Sequence, residues 1–392
     1  MIERPKAPET PVPPTPTEEE SREQSAQEER GVSFSERPTD PAPKKEKRED
    51  RLNVDSISLS KIFGVAINDD SYFENVDENG ETGTFGVGDG MGGYPGGDVA
   101  SQTIMEAVRG GASKLDEIAK RRAGGDMEAS IQSEMEALRS LMYEADAQLE
   151  KKRGESPPLL SQMGTTGTIV RLTKDERGLT WAIVGQVGDS RAYLLHPDGR
   201  LETLTLDAQP ALDAVRSIHG ESVALRVQDV LDELLGREQL VALQLVIKEG
   251  EPFPEDVGVT KDDIDFLMKH MGAGLIEYYF VNRSTIQGAF GHHPQIKTKV
   301  VPIPPGSKIA LCTDAISDGL LKREVRAILR GAYDELPDQG VKEAASMWGR
   351  TPAQALAFAA KERGEEHTYE NFHPRSKGLD DATVVIVEVP KR

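Results

Sequence analysis

The 392-residue sequence is short of cysteine, basic charge and long apolar runs, and each shortage removes a class of explanation. Its one cysteine, Cys312, excludes an internal disulfide; within the apolar run Lys308-Ile-Ala-Leu-Cys312 it reads as a small core residue of a buried strand. Lys and Arg number 47 against 67 Asp and Glu, a formal charge of −20, which argues against nucleic acid or an anionic membrane as the main partner. No apolar stretch approaches the length of a membrane span, and the N-terminus lacks the basic-then-apolar pattern of a signal peptide. A cytoplasmic monomer is the expectation.

What is present divides unevenly along the chain. Residues 1 to about 50 hold nine of the 24 prolines, charges of both signs and one aromatic, Phe34. That is too little apolar surface to offset the entropy of ordering, so residues 1–55 are expected to be a disordered Pro/Glu-rich arm. Folded sequence is expected over 56–392. Thr84 to Val87 reads as a short strand delivering a glycine-rich loop to a helix over Asp98–Val108. From Asp126 to Lys152, apolar residues recur every three or four positions, and Gly154 follows as a stop, predicting a long amphipathic helix. Thr166 to Leu172 alternates instead, a polar turn follows, and Leu179 to Val187 resumes as strand. A second hairpin is expected around His196-Pro-Asp-Gly199. Tight turns between successive strands favour antiparallel over parallel sheet.

Residues 207–282 differ in pattern: helical segments at Val223–Leu235 and Lys261–Met271 flank a mixed stretch, Leu240–Gly258. They read as an insertion. After it come a strand at Lys308–Cys312, a helix near Lys322–Arg330, a helix capped by Thr351 with Pro352 in its first turn, and a last strand at Ala382–Val389.

Four acidic sites share one local design, an Asp at or beside the end of an apolar strand next to small residues. They are Asn68-Asp-Asp70, Val87-Gly-Asp-Gly-Met-Gly-Gly93, Leu311-Cys-Thr-Asp314 and Leu379-Asp-Asp-Ala-Thr383. Taken singly, each Asp is explained as a turn or cap residue. Taken together, several strand ends can converge at one sheet edge, where a cluster of like charges is costly unless a cation neutralises it. Carboxylates are the ligands hard divalent cations prefer, and such cations would let an acidic protein bind phosphate.

Five blocks in order, Val87-Gly-Asp-Gly-Met-Gly-Gly93, Gly164-Thr-Thr-Gly-Thr168, Val187-Gly-Asp-Ser-Arg-Ala-Tyr193, Cys312-Thr-Asp-Ala-Ile-Ser-Asp318 and Asp380-Asp-Ala-Thr-Val384, resemble the signature blocks of the metal-dependent protein phosphatase 2C-type (PPM) family, in its bacterial form. The resemblance implies an α+β fold, a four-layer α-β-β-α sandwich of two antiparallel sheets with outer helices. It implies hydrolysis of phosphoserine and phosphothreonine on phosphorylated protein substrates in signal transduction, with a metal-bound water rather than a side chain as nucleophile. By the same carry-over Asp89 bridges two Mn²⁺ or Mg²⁺ ions, the Gly90 carbonyl completes one shell, and Asp314 and Asp380 ligate the other ion. Asp70, with Asp69 beside it, holds metal-bound water. Asp189 and Asp318, with Asp314, match a weaker third-metal site. The 207–282 insertion falls where the family places a mobile flap. Cys312 has no phosphate-cradling loop after it and no flanking arginine, in keeping with water as nucleophile.

Two departures stand out. Family members often carry a phosphate-gripping arginine a few residues before the first acidic motif, where Gly64-Val-Ala-Ile67 has none; Arg191 lies near the sheet edge in sequence but suits a structural ion pair better. The glycine after the third-block aspartate is Ala315, which matters only if that position requires positive φ or very close packing. His292, His293, His367 and His373 lie in loops, where surface or packing roles suit them better than acid catalysis. The departures favour an alternative, a catalytically weak or inactive binding module that keeps the fold. Hydrolysis of small phosphate esters is a further alternative.

Overall fold

The computed structural model describes residues 51–61, 67–91, 95–120, 127–254, 257–282, 285–366 and 379–391. The chain divides into two units, 1–46 and 47–392. The expected disordered arm lies almost wholly outside the described residues. Ordered strand begins at Asn53 rather than Ser56, because Asn53 to Ser56 already pair with Glu388 to Val385 of the last strand.

Among the described residues, ten strands form two antiparallel five-stranded sheets. The first, in spatial order, contains β1 (Asn53–Leu59), β10 (Ala382–Glu388), β9 (Lys308–Cys312), β6 (Arg191–Leu195) and β7 (Leu201–Thr203). The second contains β2 (Asp70–Val76), β3 (Gly83–Asp89), β4 (Gly167–Lys174), β5 (Thr180–Val187) and β8 (Lys297–Ile303). Both predicted hairpins are present, β4–β5 with Gly167 opposite Val187 and β6–β7 with Leu195 opposite Leu201.

Period-two alternation builds the sandwich. Phe85, Val87, Val170, Leu172 and Val184 of one sheet face Ala192, Leu194, Ile309, Leu311, Val385 and Val387 of the other in a shared core. The opposite faces are covered by helices. α1 (Gly97–Lys120) and α2 (Met127–Glu155) lay Ile104, Met105, Val108, Leu138, Met142 and Leu149 on Ile169, Ile183 and Phe73. Beyond the insertion, α7 (Asp314–Gly319), α8 (Lys322–Arg330), α9 (Gln339–Trp348) and α10 (Pro352–Glu366) cover Tyr193, Cys312, Val384 and Ile386. These are four layers, α-β-β-α.

Between β7 and β8, helices α3 (Pro210–His219), α4 (Glu221–Leu231), α5 (Arg237–Glu249) and α6 (Lys261–Val281) gather around a core of their own, which includes Leu212, Val215, Val227, Leu231, Ile264 and Leu267. Two of these helices lack a clear signal in the sequence. Gln209 caps α3 by accepting from the amides of Ala211 and Leu212, and much of the mixed stretch after Leu240 is α5.

Three arginines, each about 1% exposed, tie separate elements together. Arg171 on β4 pairs with Asp116 at 2.6 Å, and Arg363 on α10 makes two bonds to Glu324 on α8 at 2.9 and 3.1 Å. Arg191 on β6 reaches the insertion, bonding Asp207 through Nε and Nη2 at 2.9 and 2.6 Å and Asp232 through Nη1 at 2.6 Å.

Candidate functional site

Antiparallel pairing of β2 with β3 places Asp70 directly opposite Asp89. Cross-strand partners are side-chain neighbours, so two like charges face each other, an arrangement that is unfavourable by itself. The second sheet ends nearby. β9 stops at Cys312, Thr313 occupies the N-cap of α7 and Asp314 its first turn. The Thr313 hydroxyl does not cap that helix; it donates instead to Asp70 Oδ2 at 2.8 Å in the other sheet. Thr313 and Thr383 are also bonded to each other, with the Thr313 amide donating to Thr383 O at 3.1 Å and the Thr383 amide donating to Thr313 Oγ1 at 3.0 Å. The two sheets are thereby joined at the edge where the aspartates emerge.

The electrostatics reflect this convergence. Burial raises the Asp70 carboxyl well above the usual carboxylate range; hydrogen bonds from Thr383 and Thr313 oppose the rise, while Asp381 and Asp380 add to it. Asp89 is raised well above its ordinary value as well, first by burial and then by the charges of Asp314, Asp70, Asp380 and Asp189. Three other strand ends and the loop after β5 therefore act on one carboxyl. Asp70 Oδ1 is buried and accepts no hydrogen bond among the described residues, which is the condition of an oxygen placed for a ligand.

Asp89 is held by its own loop and by the Gly164-Thr-Thr-Gly-Thr168 block. The Asp89 carbonyl accepts from the Thr166 amide at 2.8 Å and the Thr165 hydroxyl at 2.7 Å, and its amide donates to Thr166 Oγ1 at 3.1 Å. The Gly90 amide donates to Asp69 O at 3.0 Å. A Cβ on Gly90 would sit 2.3 Å from the backbone of Gly97 and 2.6 Å from Asp69 O, so the start of α1 and the Asp89 loop close on each other only with glycine there.

A small cavity of about 20 Å³ is lined by Asp314, Ala315, Asp318, Asp380 and Lys361, bringing three of the predicted site residues to one place. Ala315 lies in helix α7, and the sole non-glycine residue with positive φ among those described is His293. The alanine is therefore free of the strain that a positive φ would impose. Asp189 is 9% exposed, just after Gly188, whose φ of +88° suits glycine.

Three residues of this edge carried no signal in the sequence reading. Asp381, rather than Asp380, is the buried member of its pair, and it accepts from the amides of Lys61 and, at 2.7 Å, of Asp69. Lys61 pairs with Asp69 at 2.8 Å, and Lys361 donates to Ser60 O. Burial lowers Lys361 to about 8 despite Asp381, Glu365, Asp380 and Asp70 around it. These two lysines are cations at the acidic edge. Arg191 is not, being consumed by Asp207 and Asp232. His292 is tied to Gln162 O at 3.1 Å, and neither it nor His293 is among the charges that act on Asp70 or Asp89. His367, His373 and residues 64–66 lie outside the described residues.

Among the described residues, no three His, Cys, Asp or Glu side chains stand within ligating distance of one point. The donor chemistry nevertheless fits a hard divalent cation. All candidate donors are oxygens, one buried carboxylate oxygen lacks a partner, and the mutual charge that raises Asp89 is what a cation would relieve.

The sequence family described as protein phosphatase 2C matches residues 61–347. The chain belongs to the protein phosphatase 2C family. "Serine/threonine protein phosphatase PstP" of Mycobacterium tuberculosis is 36% identical over 121 residues, which is 31% of this chain and 20% of that protein. The chain thus spans about a fifth of the length of the curated relatives it matches. A solved bacterial serine phosphatase, in a variant with one arginine replaced by lysine, shares the fold at 15% identity with a TM-score of 0.50, covering 87% of this chain and 99% of that one. The solved M. tuberculosis PstP/Ppp phosphatase superposes at 20% identity with a TM-score of 0.47, over 87% and 99% of the two chains.

Proposed function

We propose that this chain hydrolyses phosphoserine and phosphothreonine on proteins, with Asp89, the Gly90 carbonyl, Asp314 and Asp380 holding two Mn²⁺ or Mg²⁺ ions. Asp70 supports that pair, and Asp189 and Asp318, with Asp314, form a third, weaker site. The observation that carries the reading is the convergence of Asp70, Asp89, Asp314 and Asp380 from four strand ends at the edge where the sheets are joined by Thr313. When bound, such ions supply a water nucleophile at neutral pH and neutralise the phosphoryl oxygens.

The chain's own residues prepare the edge. Thr313 fixes one oxygen of Asp70 and leaves the other free to accept. The Thr165–Thr166 pair fixes the backbone of Asp89, and Asp381 holds the amides of Lys61 and Asp69. Lys61 and Lys361 stand in for the absent arginine as cations near the incoming phosphate. The helical insertion, with its own core, acts as the flap that selects substrates. The name of the mycobacterial relatives supports the choice of serine/threonine phosphoproteins as substrates. Among the described residues no helix is long and apolar enough to cross a membrane. We place the chain in the cytoplasm as a monomer in signal transduction, in keeping with a single cysteine that is buried and unpaired.

The test is phosphate release from phosphoserine and phosphothreonine peptides and from p-nitrophenyl phosphate, with and without Mn²⁺. Metal-dependent turnover of peptides, lost in Asp89→Asn, supports the assignment. Turnover of the small ester alone reassigns the substrate. No turnover with Mn²⁺ bound leaves a non-catalytic binding module.

A further inference from the structure

Away from the acidic edge, a cleft of about 530 Å³ opens where the helical insertion meets the sandwich. Its walls come from the β6–β7 turn, from α4 and the start of α6, and from α8. In a chain of charge −20, this cleft gathers six cations against four carboxylates.

The cations are ordered. Arg323, Arg326 and Arg330 occupy one face of α8 at spacings of three and four, a row about 10 Å long. The opposite face of α8 buries Val325, Ile328 and Leu329 in the core, so the row is presented rigidly. Arg323 Nη1 is fixed by the carbonyls of Glu233 and Val257, both at 3.0 Å, and by the Glu233 carboxylate at 3.2 Å, while Arg330 pairs with Glu335 at 2.8 Å. Arg226 faces the row from α4, lying 4.0 Å over the Phe266 ring and 3.6 Å from Asp263. Arg326 is exposed and makes no ion pair among the described residues. Leu201, Val230 and Val259 supply apolar wall, while Asp229, whose Oδ1 takes Lys322 and the Thr203 hydroxyl, and Asp263, whose Oδ2 takes Thr260, offer their second oxygens to hydroxyl or amino groups.

We propose that this cleft binds a small phosphate ester of nucleotide size, its phosphates on the Arg323–Arg326–Arg330 row and its neutral polar body against Asp229, Asp263 and the apolar wall. The volume is that of a small-ligand site. Arg326 offers a whole fork and its neighbours Arg323 and Arg330 their remaining N–H groups, and guanidiniums repeated along about 10 Å match a di- or polyphosphate better than a single anion. The site is separate from the hydrolytic edge and spans the joint between insertion and sandwich, so a bound ligand bridges the two.

The experiment is calorimetric titration of the full chain, in Mg²⁺, with ADP, pyrophosphate, inorganic phosphate and a phosphoserine peptide. The expected result is saturable ADP binding, unchanged in Asp89→Asn and weakened at least about tenfold in Arg326→Glu. Arg330→Ala, which removes a second member of the row without adding charge, weakens it as well. Both variants keep the melting temperature and the p-nitrophenyl phosphate turnover of the unmodified chain. Absence of saturable ADP binding up to about 10 mM, indifference of that binding to both arginine variants, or its loss in Asp89→Asn overturns the proposal. Tighter binding of the phosphopeptide than of ADP at these arginines overturns the nucleotide-size assignment.

Discussion

Replacing Arg191 by methionine removes a charge while keeping side-chain length, and the structure sets the size of the effect. The guanidinium is about 1% exposed and bonds both oxygens of Asp207, one oxygen of Asp232, and Tyr193 Oη at 3.1 Å. Asp207 and Asp232 are themselves 7% and 1% exposed, so neither can turn to water when the arginine is gone. Breaking a buried ion pair from one side costs about 3 to 5 kcal/mol, because the partner charges remain buried. That is a large share of the roughly 5 to 15 kcal/mol by which a domain is stable. Urea denaturation of Arg191→Met should show a midpoint lower by about 1 M or more with little change in slope. Combining the change with Asp207→Asn and Asp232→Asn should recover most of the loss, since the unpaired charges are then absent. A loss below about 1 kcal/mol, or no recovery in the triple variant, would refute the reasoning.

Glu233 is raised from 4.5 to about 7, chiefly by burial and against the opposing charge of Arg323. The folded chain holds that proton more tightly than the unfolded one, so this residue's contribution is full below about 4.5 and lost as pH rises through about 7, at most about 3 kcal/mol. Thermal melts of Glu233→Gln should match the unmodified chain near pH 5 and exceed it at pH 8; equal curves at both would contradict this. Gly90→Ala forces its methyl to within 2.3 Å of Gly97; a stability loss of about 1 to 3 kcal/mol and a fall in phosphatase turnover are expected, read by urea titration and phosphate release. Burial pushes the Cys312 thiol up to about 12; iodoacetamide should leave the native chain unmodified by mass spectrometry, and Cys312→Ala should keep its turnover.

Strong periodicity made much of the fold readable. Ile131 to Leu149 on α2, the alternating β4–β5 hairpin and the final β10 run each carry one unambiguous period. The helices of the insertion were harder, because α5 and the region before it mix apolar and polar residues without a clean face, and the cap on α3 is a glutamine. β1 escaped because all seven of its residues are only half-buried, so its identity rests on pairing with β10 rather than on its own pattern.

The candidate site was legible only in part for a similar reason. Strand-end aspartates are visible along the chain, but register decides which of them face each other, and the Asp70–Asp89 pairing is a property of two strands together. Asp381 looked like a neighbour of Asp380, yet it is buried and accepts from the amides of Lys61 and Asp69, more than 300 residues away in sequence. Thr313 precedes a helix without capping it, and its hydroxyl serves Asp70 instead. Arg191 could have been a phosphate ligand from its place beside the sheet edge; two aspartates from the insertion side decide otherwise.

The central claim is that Asp89, Asp314 and Asp380 close around divalent cations. Anomalous diffraction from crystals of the full chain soaked in Mn²⁺ tests it directly. The account predicts two manganese peaks at the sheet edge, both touching Asp89, and their loss in Asp89→Asn. Crystals that hold manganese elsewhere or nowhere, with these carboxylates unligated, would contradict it.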